Sequence, residues 1–237
     1  MEAIPLLASQ KEPAAVLLAR AFHQDPAYLH IFPDGDERAR SLARLFAAVI
    51  GYSLQYGQVQ TTPSLEGVAC WLTPGNTEVT FWRMLRTGLA FQRAVGRMPT
   101  EARQGFLAAL AFMDGIHKRL MAGPHWYLWA LGVDPASQGR GTGGKLIRPA
   151  LAQADRAGVP CYLETLNERN LSFYQKWGFA TQDQAIVPEQ RLQIWAMARE
   201  PKQKRELVGS HSSVFPQHPL NDPSGNQPTK RLCCSQH

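Results

Sequence analysis

The feature that most restricts this chain is the run Val133-Asp134-Pro135-Ala136-Ser137-Gln138-Gly139-Arg140-Gly141-Thr142-Gly143-Gly144-Lys145-Leu146. It follows the apolar stretch His125 to Val133, which reads as a strand, and opens a segment to about Ala157 that reads as a helix. A second apolar strand, Pro160 to Thr165, comes behind it. The three together make a β-α-β unit with a locally parallel pair of strands. Glycines let the loop turn tightly and bring its N–H groups close to a ligand. The helix N-terminus adds a partial positive charge, and Arg140 and Lys145 add full ones. The loop is therefore a site for a phosphate or pyrophosphate.

The flanking sequence completes one domain. Pro13 to Phe22 reads as a helix that stops near Asp25-Pro26, because the residue before a proline avoids the helical region. A longer helix follows Asp34-Gly35-Asp36, with Leu42, Leu45, Phe46, Val49 and Ile50 at helical spacing, and Gly57 ends it. Gln58 to Thr62 and Gly67 to Leu72 read as short strands. Thr77 to Val95 and Thr100 to Leu120 read as two helices, broken at Met98-Pro99. Their stripes, Phe81, Met84, Leu85, Leu89 and Phe106, Leu107, Leu110, Met113, read as core packing. A helix from about Asn170 to Trp177 and a last strand, Leu192 to Ala198, close a domain over residues 1–199. Residues 200–237 are rich in Pro, Ser, Gln and Asn and poor in large apolar side chains, so a disordered tail is expected there.

Composition narrows the function classes. A chain of 237 residues that is 44% hydrophobic can bury one sizeable core. The N-terminus lacks the pattern of a secretory leader, and no apolar run is long enough to span a bilayer. Cys70, Cys161, Cys233 and Cys234 have no metal-ligand spacing and fit a reducing compartment, so the expected location is cytoplasmic, with no metal. The formal charge is +6, and residues 201–237 carry half of that surplus, so neither a nucleic-acid nor a membrane partner is expected. His117 and His125, lone histidines among apolar residues, read as core residues.

Three phosphate-loop patterns compete for residues 138–145. Gly139, Gly144 and Lys145 satisfy most of G-x-x-x-x-G-K-[ST], but Leu146 stands where a hydroxyl should bind magnesium. Gly139, Gly141 and Gly144 match the dinucleotide pattern G-x-G-x-x-G, with Glu164 at about the distance of a ribose-binding acid. The third fit is Gln138-x-x-Gly141-x-Gly143 directly after a strand ending Gly132-Val133-Asp134-Pro135. This block resembles the acyl-CoA loop of the GNAT superfamily of N-acetyltransferases. A second block agrees: Asn167-Glu168-Arg169-Asn170-Leu171-Ser172-Phe173-Tyr174, then Trp177-Gly178-Phe179. A narrower resemblance, to the branch that includes puromycin N-acetyltransferase, covers most of residues 15–198. It rests on Ala21-Phe22 with Asp25-Pro26, on Phe32-Pro33-Asp34, on Gly67-Val68-Ala69 with Trp71-Leu72, and on Leu163-Glu164-Thr165 leading into Arg169-Asn170.

The resemblance implies an α/β (α+β) fold: a mixed, mostly antiparallel twisted sheet flanked by helices, whose fourth strand (125–133) and fifth strand (160–165) splay apart. It implies a helical insertion at about 76–121, between the third and fourth strands. Acetyl-CoA would lie in the splay as co-substrate, held by Leu131, Gly132 and Val133, by the loop Gln138, Gly139, Arg140, Gly141, Thr142, Gly143, Gly144 and Lys145, and by Asn167 and Asn170. The two asparagines are equally suited to capping a helix. Tyr174 would protonate the departing thiolate, since an unperturbed phenol near pKa 10 keeps its proton at neutral pH. Glu164 is the candidate base for the amine, and an ordinary strand-end glutamate is an equal reading. Asp25 and His30 are fallback bases, and Phe22, Asp25, Tyr28, His30 and Phe32 would border the acceptor. Trp82, Phe106 and Phe112 would make that pocket more aromatic, which suits a small amine on an apolar body. A coenzyme A-binding sensor without catalysis, and a nucleotide-binding protein using the Gly139–Lys145 loop, stay open as alternatives.

Overall fold

Acidic caps start the helices that frame the molecule. In the computed structural model, which describes residues 2–188 and 191–202, the chain begins with strand β1 (Ile4–Pro5) and helix α1 (Lys11–Ala21). Asp25 then opens a short helix, α2 (Pro26–Ile31), by accepting from Ala27 N at 3.1 Å, with Pro26 at the first helical position. Asp34 opens α3 (Gly35–Tyr56) in the same way, accepting from Glu37 N at 2.7 Å. Asp36 and Glu37 in the first turn complement the helix dipole. Proline at 26 thus starts a helix, which the sequence reading did not anticipate, while α1 has already ended at Ala21.

Strands β2 (Gly57–Thr61) and β3 (Gly67–Leu72) follow as an antiparallel pair. The expected helix over 77–95 is two pieces, α4 (Phe81–Arg86) and α5 (Ala90–Gly96), separated where Gly88 and Leu89 take positive φ. Helix α6 (Thr100–Leu120) completes the helical segment, and strand β4 (Trp126–Val133) returns to pair antiparallel with β3. Helix α7 (Thr142–Ala157), strand β5 (Cys161–Thr165), helix α8 (Leu171–Lys176) and strands β6 (Ala180–Val187) and β7 (Leu192–Arg199) complete the described chain. Beyond Lys202 the expected tail lies outside the described residues.

The seven strands form one sheet in the order β1-β2-β3-β4-β5-β7-β6. Every neighbouring pair is antiparallel except β4 and β5. Helices α1 and α3 cover one face through Leu17, Leu18, Leu42, Phe46 and Ile50. On the other face α7 packs Leu146, Ile147, Ala150 and Ala154 against Ala69, Trp71, Leu163 and Met197.

The parallel pair is short, and its failure creates the site. β4 and β5 pair only at Trp126–Cys161 and Tyr127–Tyr162. In the β3–β4 ladder Trp71 faces Leu128 and Cys70 faces Ala130, so Trp129 is an extra residue in β4. Such a bulge bends its strand and strengthens the twist. β4 therefore turns from β5 where their pairing ends, leaving the Leu128–Val133 edge without a strand partner on that side among the described residues.

Candidate active site

The loop after β4 is built to turn. Asp134 closes a 3-10 turn, Pro135–Ser137, by accepting from Ala136 N at 3.1 Å, and also pairs with Arg20 at 2.5 Å. Gly139 and Gly141 then take φ of +76° and +75°, a region other residues enter at a cost. Gly144 answers a different demand. A Cβ there would lie 2.5 Å from the Trp177 ring, so the first turn of α7 leans directly on the end of α8. The first N–H groups of α7 have no helical acceptor and point out of its N-terminus. Arg140 is exposed and Lys145 half-buried, while Thr142 is buried. Gln138 donates from Nε2 to Val133 O at 3.1 Å, tying the loop back to the strand. Leu146 is fully buried, so the position that would have to ligate magnesium in a nucleotide loop is part of the core.

A cavity of about 640 Å³ opens at the splay, between β4, β5, α2, α6 and α8. Phe22, Asp25 and Tyr28 line it, together with Phe106, Leu131, Glu164, Asn170 and Tyr174. His30 and Phe32 are not among its walls, which corrects two expected substrate contacts. The reason is the unforeseen helix α2. At about 100° per residue, a side chain two positions after Tyr28 points to the far side, and His30 is exposed. Phe32 is 2% exposed and packs in the core with α1 and α3. Trp82 is 71% exposed and Phe112 packs in the outer core, so neither lines the cavity.

Glu164 projects from β5 into this wall and is half-buried. Burial pushes its carboxyl up to about 7; the Tyr127 hydroxyl, donating to Oε2 at 2.7 Å, and the nearby Tyr162 hydroxyl hold it from going higher. Oε1 meets no protein hydrogen-bond partner among the described residues. Tyr174 is buried on α8 and faces the same space. Burial, and then the charge of Asp25, raise its phenol well above the ordinary tyrosine value. Asp25 is also raised by burial, although Ala27 N and the Asn167 amide, at 3.1 and 3.3 Å, donate to it. Asn167 caps the 3-10 turn Glu168–Asn170, its Oδ1 accepting from Arg169 N. Asn170 lines the cavity and its amide donates to Thr165 Oγ1 at 3.2 Å.

The reading of His117 and His125 as separate core residues changes. Their Nε2 atoms lie 2.7 Å apart, and His117 stacks on Tyr162 with ring centroids 4.6 Å apart and planes 12° apart. Both are pushed below the usual histidine value, chiefly by burial, His117 to about 4. His117 lines the cavity. The sequence held one usable signal, a histidine at each end of the α6–β4 connection, but no spacing rule ties them together.

Comparison with known proteins agrees with this arrangement. A family model described as Acetyltransferase (GNAT) family matches residues 89–179, a span that contains the glycine loop, Glu164 and Tyr174. A Schizosaccharomyces pombe protein named "Uncharacterized N-acetyltransferase" is 27% identical over 197 residues, 80% of this chain and 79% of its own. Among solved structures, the Corynebacterium glutamicum "histone acetyltransferase HPA2 and related acetyltransferase" superposes with a TM-score of 0.57 at 20% identity, over 86% of this chain and 99% of its own. Arylalkylamine N-acetyltransferase 2 from Aedes aegypti gives 0.54 at 12%, over 84% and 98%. At such identities the solved structures speak for the fold. The family model and the yeast relative identify residues 89–179 as a GNAT acetyltransferase domain, and with it an acyltransferase.

Proposed function

We propose that the chain transfers an acetyl group from acetyl-coenzyme A to the primary amine of a small molecule with an apolar, aromatic body. One observation carries the reading: the edge of β4 that β5 leaves unpaired adjoins, through Leu128 to Leu131, a cavity whose walls hold both Glu164 and Tyr174. The bare strand edge suits the amide-bearing arm of coenzyme A, which can pair with it as an added strand does. The positive-φ glycines and the free N–H groups of α7 suit a pyrophosphate. The resemblance of residues 15–198 to the puromycin-acetylating branch extends the acceptor class to aminonucleosides and other drug-like amines.

Acetyl-coenzyme A, when bound, supplies an acetyl group activated as a thioester. Leu131 to Val133 hold the arm through backbone groups, and Asn170 borders it. Gln138 to Gly144 hold the pyrophosphate through N–H groups, with Arg140 and Lys145 nearby. Glu164 takes one proton from the ammonium group, freeing the nitrogen lone pair to attack the acetyl carbon. The Tyr174 hydroxyl gives its proton to the sulfur as the C–S bond breaks, and the phenolate left behind takes the remaining excess proton from the nitrogen. Phe22, Tyr28 and Phe106 cover the acceptor body.

The test is release of the coenzyme A thiol from acetyl-coenzyme A across a panel of primary amines. Wild type is expected to turn over aromatic amines, with kcat lowered about 100- to 10,000-fold in Glu164→Gln and in Tyr174→Phe. Transfer to peptides alone, or to no amine, contradicts the proposal.

A further inference from the structure

The two buried histidines fix one another's protons. Gly123 O is an acceptor only, so His125 Nδ1, 2.7 Å away, carries a hydrogen and donates it. A neutral imidazole holds one N–H, which leaves His125 Nε2 bare. The 2.7 Å contact to His117 Nε2 then requires His117 to donate from that atom. His117 Nδ1 is in turn left bare. It has no hydrogen-bond partner among the described residues, and its ring lines the cavity. Burial keeps the pair uncharged at neutral pH. Asp114, Lys118, Tyr127 and Tyr162 stand around it; Asp114 and Lys118 are paired with each other at 2.7 Å, and Tyr127 is committed to Glu164. The relay from a backbone carbonyl through two rings thus leaves one unprotonated nitrogen on a ring that lines the acceptor space.

We propose that His117 is a specificity-determining residue, whose Nδ1 accepts a hydrogen bond from a hydroxyl or N–H on the body of the acceptor amine. The inference rests on the proposed acetyl transfer and adds a substrate class to it: amines whose aromatic or heterocyclic body carries a donor. A cavity of about 640 Å³ lies in the range of drug-sized sites, about 300–1,000 Å³, so it has room for such a body beyond the reacting nitrogen. A site that spends a buried acceptor on its substrate also rejects the analogue that leaves the acceptor unpaired.

The test compares kcat/KM for phenethylamine with its 3-hydroxy and 4-hydroxy derivatives, and for indole- against naphthalene-bearing ethylamines. Wild type is expected to favour at least one donor-bearing member of a pair by about 10- to 100-fold. His117→Phe, which keeps the stacked ring, is expected to erase that preference while still acetylating the donor-free amines. His117→Asn, whose side-chain oxygen replaces Nδ1, is expected to restore it. Nitrogen-15 spectra of histidine-labelled protein supply a readout independent of activity, with Nδ1 bare in His117 and protonated in His125. Equal rates for every pair in wild type, a preference that survives His117→Phe, or the opposite tautomers overturn the inference and leave acetyl transfer standing. No transfer to any amine removes the transfer reading, and the inference with it.

Discussion

At the scale of single residues, the proposed chemistry depends on a carboxyl that burial holds near neutrality. Glu164 must be ionised to take a proton, and its value near 7 places that change inside the working range. The rate constant kcat/KM is therefore expected to rise with pH through about 7 and flatten above it. Tyr174, raised well above its ordinary value, keeps its proton to pH 10, so no falling limb from it is expected below that. Glu164→Gln should remove the rising limb; a limb that persists contradicts the assignment. The same burial has a stability signature of opposite sign. An ordinary glutamate titrates near 4.5 and this one near 7, so the fold favours the protonated form. The stability this contributes is fully present below pH 4.5 and is lost as pH rises through 7. Glu164→Gln keeps a neutral group at all pH, so it should stabilise the protein relative to wild type by about 3 kcal/mol at pH 8 and by little at pH 4.5. Chemical denaturation at the two values measures this, and a variant less stable at pH 8 than wild type contradicts it.

At the scale of elements, the first turn of α7 depends on what α8 leaves free. Gly144→Ala puts a methyl group against the Trp177 ring and should cost about 1–3 kcal/mol. Much of that loss should return in the double variant with Trp177→Phe, because the two sites are in contact. Additive losses in a double-mutant cycle would place the strain elsewhere. The sequence made this loop legible because its glycines, its charges and the strand before it are contiguous. Gly35–Tyr56 and Thr100–Leu120 were legible for another reason, sustained helical spacing. Helix α2 was hidden because Asp25-Pro26 signals both the end of one helix and the cap and first turn of another. Strand β6 was hidden because its residues through Ile186 alternate exposed and half-buried and include Thr181-Gln182-Asp183-Gln184, which no apolar run marks. The break at Gly88 and Leu89 interrupts a stripe whose spacing runs on across it.

At the scale of the whole molecule, the site is assembled from parts distant in the chain. The cavity draws on Asp25 and Tyr28 near one end, on the helical insertion in the middle, and on Glu164 and Tyr174 beyond it. That is why Tyr174 and Glu164 could be named from local motifs while their surroundings could not. The Tyr127 bond to Glu164, the Asp25 charge near Tyr174 and the His117–His125 pair all join segments that sequence spacing does not relate. The bulge at Trp129 is likewise a property of the β3–β4 register, visible only once the strands are paired. The sheet brings these parts together at the point where its fourth and fifth strands part, and the central claim is that this parting is a site for acetyl-coenzyme A. The measurement that tests it most directly is the melting temperature of the full chain with acetyl-coenzyme A, beside ATP with magnesium and NAD. At 100 times its dissociation constant a ligand stabilises the fold by about 2.7 kcal/mol, which for a domain of this size raises the melting temperature by roughly 5–10 °C. That rise is expected for acetyl-coenzyme A and none for the two nucleotides. A rise with ATP or NAD and none with acetyl-coenzyme A would contradict the claim and return the Gly139–Lys145 loop to a nucleotide.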